Sequence, residues 1–139
     1  MALFPKKIKF RKSQRGRENP KKERVATRGN KISFGSFGLR AQENKEIKVN
    51  QIESARKVMA RFFKKSGKMW IRVFADKPVT AKPPEVGMGK GKGDPAGFVA
   101  RVRPGSILFE IDGLDEKTSR EVLRKASAKL PVKTKIISR

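Results

Sequence analysis

The sequence predicts an α+β fold in which two helices pack on a mixed or antiparallel sheet. Two amphipathic helical patterns alternate with short β-rich segments along residues 32–139, which we expect to form one domain. A basic segment, which we call the arm, precedes this domain at residues 1–31. A long loop rich in glycine, proline and lysine interrupts the domain at residues 75–97. A chain of 139 residues is long enough for one modest core and such extensions.

Short segments rich in β-forming residues predict the strands. "KISFGSFGL" and "EIKV" come before the first helix, and "KMWIRVF" follows it. "FVARVR" and "SILFEI" are separated by the turn signal Pro104-Gly105, so we expect them to pair. "VKTKIIS" ends the chain as the last strand. The predicted strands are residues 31–39, 46–49, 68–74, 98–103, 106–111 and 132–138.

Apolar residues at helical spacing predict one helix in "NQIESARKVMARFFKKSGK" and another in "DEKTSREVLRKASAKL". In the first, Asn50 is the expected N-cap with Glu53 in a capping box, and Gly67 follows the end. In the second, Asp115 is the expected cap and Pro131 the stop. The apolar stripes are Ile52, Ala55, Met59, Phe62 and Phe63 in the first, and Val122, Leu123, Ala126 and Leu130 in the second. We expect Phe62, Phe63, Trp70 and Leu123 to be buried where helices meet sheet.

The charge balance points to a polyanionic partner. The chain has 36 Lys and Arg against 13 Asp and Glu, a formal net charge of +23. Such a field attracts nucleic acid, since each neutralised phosphate releases condensed counterions, and an anionic membrane is the second candidate. No segment has the length of a transmembrane helix, and we expect no membrane insertion.

The absence of cysteine and histidine excludes several kinds of chemistry. No disulfide is possible, and neither are zinc sites built on Cys or His, nor Cys–His or Ser–His–Asp catalysis. The 13 acids are scattered among many more cations. We therefore expect no catalytic residue, no metal and no cofactor.

The arm carries 12 Lys and Arg, with only Glu18 and Glu23 as acids. Its few apolar residues cannot form a core, so we expect it to be extended or disordered until a partner orders it. A solvated tail is the plain alternative. The interleaving of arginine with glycine and polar residues in "RKSQRGR" favours nucleic acid.

The loop contains "VGMGKGKGDPAG", which raises the possibility of a nucleotide pocket. A Walker loop needs a glycine five residues before its Gly-Lys pair, but that position is Pro84 for Gly89 and Val86 for Gly91. The dinucleotide pattern also fails, because Lys92 stands where its third glycine is required. A flexible surface loop and a loop that contacts phosphate remain open.

Several stretches resemble the bacterial-type large-subunit ribosomal protein sixteen family, which is related to the archaeal and eukaryotic L ten e proteins. They are "PKKIKFRKSQRGR", "RGNKISFGSFGLRA", "VRPGSILFEIDG", "AKLPVKTKI" and the specific core "F-x-DKPVT-x-KP…MG-x-GKG". The likeness is collinear over nearly the whole chain. One departure is Gly87, where the family commonly has arginine.

The resemblance implies a structural protein of the large ribosomal subunit, in the cytoplasm, with a plastid ribosome left open. Its implied partners are large-subunit ribosomal RNA, the aminoacyl-site tRNA and neighbouring ribosomal proteins, and it is not expected to be a homo-oligomer. The predicted RNA-binding residues are Lys6, Lys7, Lys9, Arg11, Lys12, Arg15, Arg17, Arg28, Arg56, Arg61, Lys64, Lys77 and Lys82. The loop expected near the tRNA and the peptidyl transferase region comprises Gly87, Met88, Gly89, Lys90, Gly91, Lys92 and Gly93.

Two other functions compete with this interpretation. A DNA-compacting protein would be expected to have minor-groove wedges or a recognition helix with few acids. A nucleotide-dependent enzyme would need a phosphate loop of correct spacing, which is missing. The capped helices and the long Gly-Lys loop favour the ribosomal function.

Overall fold

The computed structural model describes residues 2–19, 21–63 and 65–139, and within them it has two helices and seven strands. The α+β class is therefore confirmed. The helices are α1 (Val49–Ala60) and α2 (Glu116–Ser127). The strands are β1 (Phe37–Ala41), β2 (Lys45–Lys48), β3 (Lys68–Ile71), β4 (Lys77–Ala81), β5 (Asp94–Val102), β6 (Ile107–Asp112) and β7 (Thr134–Ser138).

The strands form two antiparallel sheets rather than the single sheet expected. One has the order β3-β6-β1-β7 and the other β2-β5-β4. The predicted pairing of the strands on either side of Pro104-Gly105 is wrong, because β5 and β6 lie in different sheets. The backbone N–H of Gly105 donates to Ala41 O at 2.8 Å, and that of Ala41 donates to Ser106 O at 2.8 Å. The end of β1 thus takes the hydrogen bonds that would have started a hairpin.

Strand β4 lies inside the segment predicted as a loop, so the loop at residues 75–97 is corrected to residues 82–93. Pro78 made the segment look irregular, because proline cannot donate to a strand ladder. It is accommodated here because β4 is an edge strand, which needs hydrogen bonds on one side only. Strands β4 and β5 therefore form a hairpin with the glycine- and lysine-rich loop at its tip.

The sequence predicted the first residue of α2 correctly but not that of α1, and it placed the last residue of both helices too late. Helix α1 begins after Lys48, whose N–H donates to Gln51 Oε1 at 2.9 Å, so the predicted cap at Asn50 is wrong. Helix α2 begins after Asp115 as predicted, and Thr118 N donates to Asp115 Oδ2 at 3.2 Å. The ends of both helices come several residues before the predicted glycine and proline stops.

The core lies between the helices and the inner faces of the sheets. Helix α1 packs on α2 and on β2 and β5, while α2 packs on β1 and β7. Leu39, Phe109 and Leu123 are fully buried there, as expected for Leu123. Trp70 is only half-buried, and so are the two phenylalanines expected in the core, Phe62 and Phe63, because they follow the end of α1.

Candidate nucleic-acid interface

The first part of the arm lies against the three-stranded sheet without forming a helix or strand. The Ser13 hydroxyl donates to Pro78 O at 3.1 Å. Lys77 Nζ and Arg101 Nη2 both donate to Arg15 O, at 3.2 and 2.9 Å. Lys77 and Arg101 of the hairpin thus hold the backbone of the arm at Arg15, and these two hydrogen bonds do not occupy the arm's own cationic side chains.

The later part of the arm is tied to the turn after β5 and to the start of β6. Ala26 N donates to Pro104 O at 2.9 Å, and Ile107 N donates to Gly29 O at 2.9 Å. The Ala26 side chain is buried. Residues 25–31 are therefore integrated into the fold by their contacts, although the sequence predicts the domain boundary at residue 31.

Most of the predicted RNA-binding cations are open to solvent. Every one of those predicted in the arm is exposed: Lys6, Lys7, Lys9, Arg11, Lys12, Arg15, Arg17 and Arg28. Lys82, at the start of the loop, is exposed as well. Lys77 is half-buried, and its Nζ lies 3.3 Å from Glu46 Oε1. The charge of Lys77 is therefore partly neutralised by Glu46.

The predicted cations of the first helix differ from one another in their surroundings. Arg56 is half-buried, and its Nε donates to Glu53 Oε2 at 2.9 Å. This hydrogen bond lowers the pKa of Glu53 and raises that of Arg56. Arg61 is exposed just after the end of α1. Lys64 lies outside the described residues.

The loop at residues 82–93 extends into solvent with an unusual backbone. Gly89, Lys90 and Gly91 have φ of 94°, 57° and 92°, three successive left-handed conformations. A methyl group added at Gly87, Gly89 or Gly91 would meet no described atom within 4 Å. Packing against the protein therefore does not require these glycines, whereas the positive φ at Gly89 and Gly91 is a backbone reason for glycine there.

Gly93 has a different role from the other glycines of the loop. A Cβ there would lie 2.7 Å from Ala81 O, so only glycine lets the two ends of the loop meet at the end of β4. Met88, at the tip, is fully exposed. The predicted tRNA-proximal residues thus form the tip and closing end of one hairpin.

The arm and the loop are joined by hydrogen bonds. Lys12 Nζ donates to Lys92 O at 3.2 Å, and Lys92 Nζ donates to Ser13 O. Within the loop, Lys82 Nζ donates to Gly89 O. The two segments that the sequence singled out separately therefore form one continuous cationic surface, which we call the arm–loop surface (residues 2–19 and 82–93).

Some cations of this region were missed by the sequence reasoning. Arg101 on β5 and Arg103 just after it line a cavity of about 470 Å³. The signal was the alternation in "ARVR", where Ala100 and Val102 face the core and Arg101 and Arg103 occupy the alternate positions. The cavity is lined by Arg17, Glu18, Asn19, Lys22, Arg24, Arg101 and Arg103.

A metal centre and a membrane-spanning helix are both missing from the part of the chain that the structure describes. It contains no group of three or more His, Cys, Asp or Glu able to hold a metal ion. None of its helices has the length and apolar character needed to cross a membrane.

The fold and the arm–loop surface define a small, strongly basic α+β protein with a docked cationic arm. The chain matches the family described as ribosomal protein L16p/L10e over residues 5–137, and it belongs to that family. It is 53% identical over 139 residues to the large ribosomal subunit protein uL16 of Methylacidiphilum infernorum (isolate V4), covering 100% of this chain and 94% of that protein. The resemblance seen in the sequence motifs is confirmed.

Proposed function

We propose that this chain is a non-catalytic structural protein of the large ribosomal subunit in the cytoplasm. It binds large-subunit ribosomal RNA through the arm–loop surface and contacts neighbouring ribosomal proteins. Its loop contributes to the aminoacyl-tRNA site near the peptidyl transferase region. Family membership and the name of the relative at 53% identity support the subunit assignment.

The observation that carries the RNA-binding part is the junction between arm and loop. Lys12 and Lys92 each donate to a carbonyl of the other segment, so neither segment is an independent tail. The cationic side chains around this junction are exposed and outnumber the acids. Folded RNA presents closely spaced phosphates to such a surface, and counterion release favours the association.

The loop suits contact with an RNA backbone better than recognition of a base. Its glycines allow the main chain to approach closely, and successive N–H groups in such conformations can face phosphate oxygens. Lys90, between Gly89 and Gly91, adds an exposed charge to this part of the loop. We therefore assign the loop to phosphate and shape recognition at the tRNA site.

The test is the double substitution Lys90→Ala with Lys92→Ala, assembled into ribosomes. We expect normal folding, since both side chains are exposed, and nearly normal incorporation, since most arm cations remain. Aminoacyl-tRNA accommodation, followed by rapid kinetics on purified ribosomes, should be slower. Lys90→Ala alone should cause a smaller defect than the double substitution, because it keeps Lys92 and the hydrogen bond from Lys92 to Ser13 O.

A matched control removes the same charge elsewhere. Lys117→Ala with Lys129→Ala changes two exposed lysines of α2 and the segment after it. This variant should accommodate tRNA at the wild-type rate. Normal accommodation by ribosomes that fully incorporate the loop variant would reduce the loop to a passive connection.

A further inference from the structure

An aromatic pair outside the arm–loop surface includes Trp70 of β3, in the four-stranded sheet. The rings of Phe34 and Trp70 are stacked, with centroids 6.0 Å apart and planes 21° apart. Trp70 is opposite Glu110 on β6, whose neighbours Phe109 and Ile111 face the core, so the pair is on the outer face. Phe34 is 56% exposed, although the residue that follows it, Gly35, is buried.

The position of Phe34 is fixed by the fold. The backbone N–H groups of Ser33 and Phe34 donate to the two carboxylate oxygens of Glu110, at 2.7 and 3.1 Å. The Glu110 side chain is fully buried. A Cβ at Gly35 would lie 2.5 Å from Ile111 O, so the chain is pressed against β6 at that point. An exposed ring on such a rigid support is preorganised for a partner, because little conformational entropy remains to be lost.

Cations flank the pair. The Arg72 guanidinium carbon lies 5.6 Å from the centre of the Phe34 ring, and Arg72 Nη1 donates to Lys31 O at 2.7 Å. Lys68 and Arg72 lie two residues on either side of Trp70, on the same face of the extended chain. The nearby Glu110 carboxylate is already bonded to two amides and lies 3.4 Å from Arg72. The other acid on this face is Asp112, opposite Lys68, so the cations Lys68, Arg72 and Lys31 outnumber the two acids near the ring.

We propose that Phe34 and Trp70 form a stacking platform for an unpaired nucleobase of RNA, with Lys68 and Arg72 beside the adjoining phosphates. An exposed aromatic ring between cations fits a base that carries phosphates on both sides. An apolar protein partner would be less well matched, because it would have to desolvate these cations without neutralising them. The proposal rests on the proposed function only in requiring that the partner is RNA.

The experiment uses the full chain and two polyanions, single-stranded oligoadenylate and inorganic polyphosphate. Trp70 is the single tryptophan of the sequence, so its fluorescence reports on this site. Oligoadenylate should quench it, and polyphosphate, which has no bases, should not. Phe34→Ala should weaken oligoadenylate binding by about 5- to 150-fold, since a stacked base contributes about 1–3 kcal/mol. It should leave polyphosphate affinity and the salt slope unchanged.

Three variants separate stacking from folding. Phe34→Tyr keeps the ring and should bind oligoadenylate as the wild type does, whereas Phe34→Leu keeps apolar volume and should behave like Phe34→Ala. Phe74→Ala removes a ring that is 48% exposed after β3, and it should bind normally. Thermal melting should show all variants folded at the binding temperature.

The outcomes separate the two proposals. Wild-type oligoadenylate affinity for Phe34→Ala would overturn the platform, and so would an equal loss of polyphosphate binding. A variant that binds RNA normally but fails to enter the subunit would assign the pair to a protein neighbour and also overturn it. If the unmodified chain bound neither polyanion at low salt, the RNA-binding function itself would fail.

Discussion

Lys90 is the non-glycine residue with positive φ in the part of the chain that the structure describes. A left-handed conformation costs an L-residue roughly 1–2 kcal/mol, and the neighbouring Gly89 and Gly91 avoid that cost. A third glycine would suit the backbone better. Conformation therefore does not account for a lysine at this position, and we infer that its charge does.

Lys90→Gly tests this interpretation. We expect unfolding free energy to change by less than about 1 kcal/mol, because relief of backbone strain offsets the greater freedom of the unfolded chain. Phosphate-dependent binding should decrease as in Lys90→Ala. Chemical denaturation together with RNA titration provides the measurement, and a large loss of stability would mean that the lysine has a structural role.

The core is tested by Leu123→Ala. Leu123 is fully buried between α2 and the sheet, so its truncation should cost about 2–5 kcal/mol of unfolding free energy. Thermal or chemical unfolding of the purified chain measures the loss, and Lys117→Ala on the exposed side of α2 is the control. A loss well under about 1 kcal/mol would contradict the packing described.

Sequence patterns predicted some individual residues better than others. The arm lysines and arginines were expected to be exposed and are, because charged side chains stay solvated unless paired. Arg56 differs because Glu53 lies one helical turn away, which spacing alone does not distinguish from a free cation. Trp70 was expected to be buried but is half-buried. It lies on the edge strand β3, opposite Glu110, and the sequence alone does not show which face of the sheet such a residue occupies.

Among the helices and strands, α2 has the most clearly defined start. The Asp115 carboxylate accepts from Thr118, whose side-chain and backbone hydrogen bonds lower the pKa of Asp115. A carboxyl whose pKa is lowered on folding stabilises the protein above its unfolded pKa. That contribution is lost as pH falls through the folded pKa.

Substitution of Asp115 should reveal this pH dependence. Asp115→Ala should lower the melting temperature at neutral pH, and its difference from wild type should shrink as the pH falls through the lowered pKa. Asp115→Asn keeps a cap without a titrating charge, so its melting temperature should lack this component. Melting curves at neutral and acidic pH are the measurement. A pH-independent difference for Asp115→Ala would exclude the charged cap as the cause.

The order of helices and strands followed largely from local patterns, but their assembly did not. Both helices were predicted from apolar periodicity, and Asp115 from its cap chemistry. Strand β4 was missed because Pro78 is compatible with a strand only at a sheet edge, and edge position is not a local property. The division into two sheets depends on Gly105 pairing with Ala41, a contact distant in sequence.

The molecule as a whole has a net charge of +23, and two of its cationic segments, the arm and the loop, are joined by hydrogen bonds. The composition predicted a polyanionic partner, and the motifs predicted the family. The contact between the two cationic segments could not be predicted, because it depends on how the extended arm follows the hairpin. That contact is why we treat arm and loop as one binding surface.

Removal of arm charges tests this surface. Lys6→Ala, Lys7→Ala and Lys9→Ala together should weaken RNA binding and reduce the slope of log affinity against log salt by roughly 2–3. The control, Lys117→Ala, Arg124→Ala and Lys129→Ala, has the same net charge but leaves the arm intact. Its salt slope should stay closer to that of the wild type. Equal slopes for the two triple variants would show that only total charge matters.

The most direct measurement is sucrose-gradient sedimentation of the endogenous protein from its own cells. We expect it to migrate with free large subunits and with whole ribosomes, and to return to the top of the gradient after ribonuclease treatment. Deoxyribonuclease should change nothing. A protein that stays at the top of the gradient without treatment, or whose migration depends on DNA, would contradict its assignment to the large ribosomal subunit.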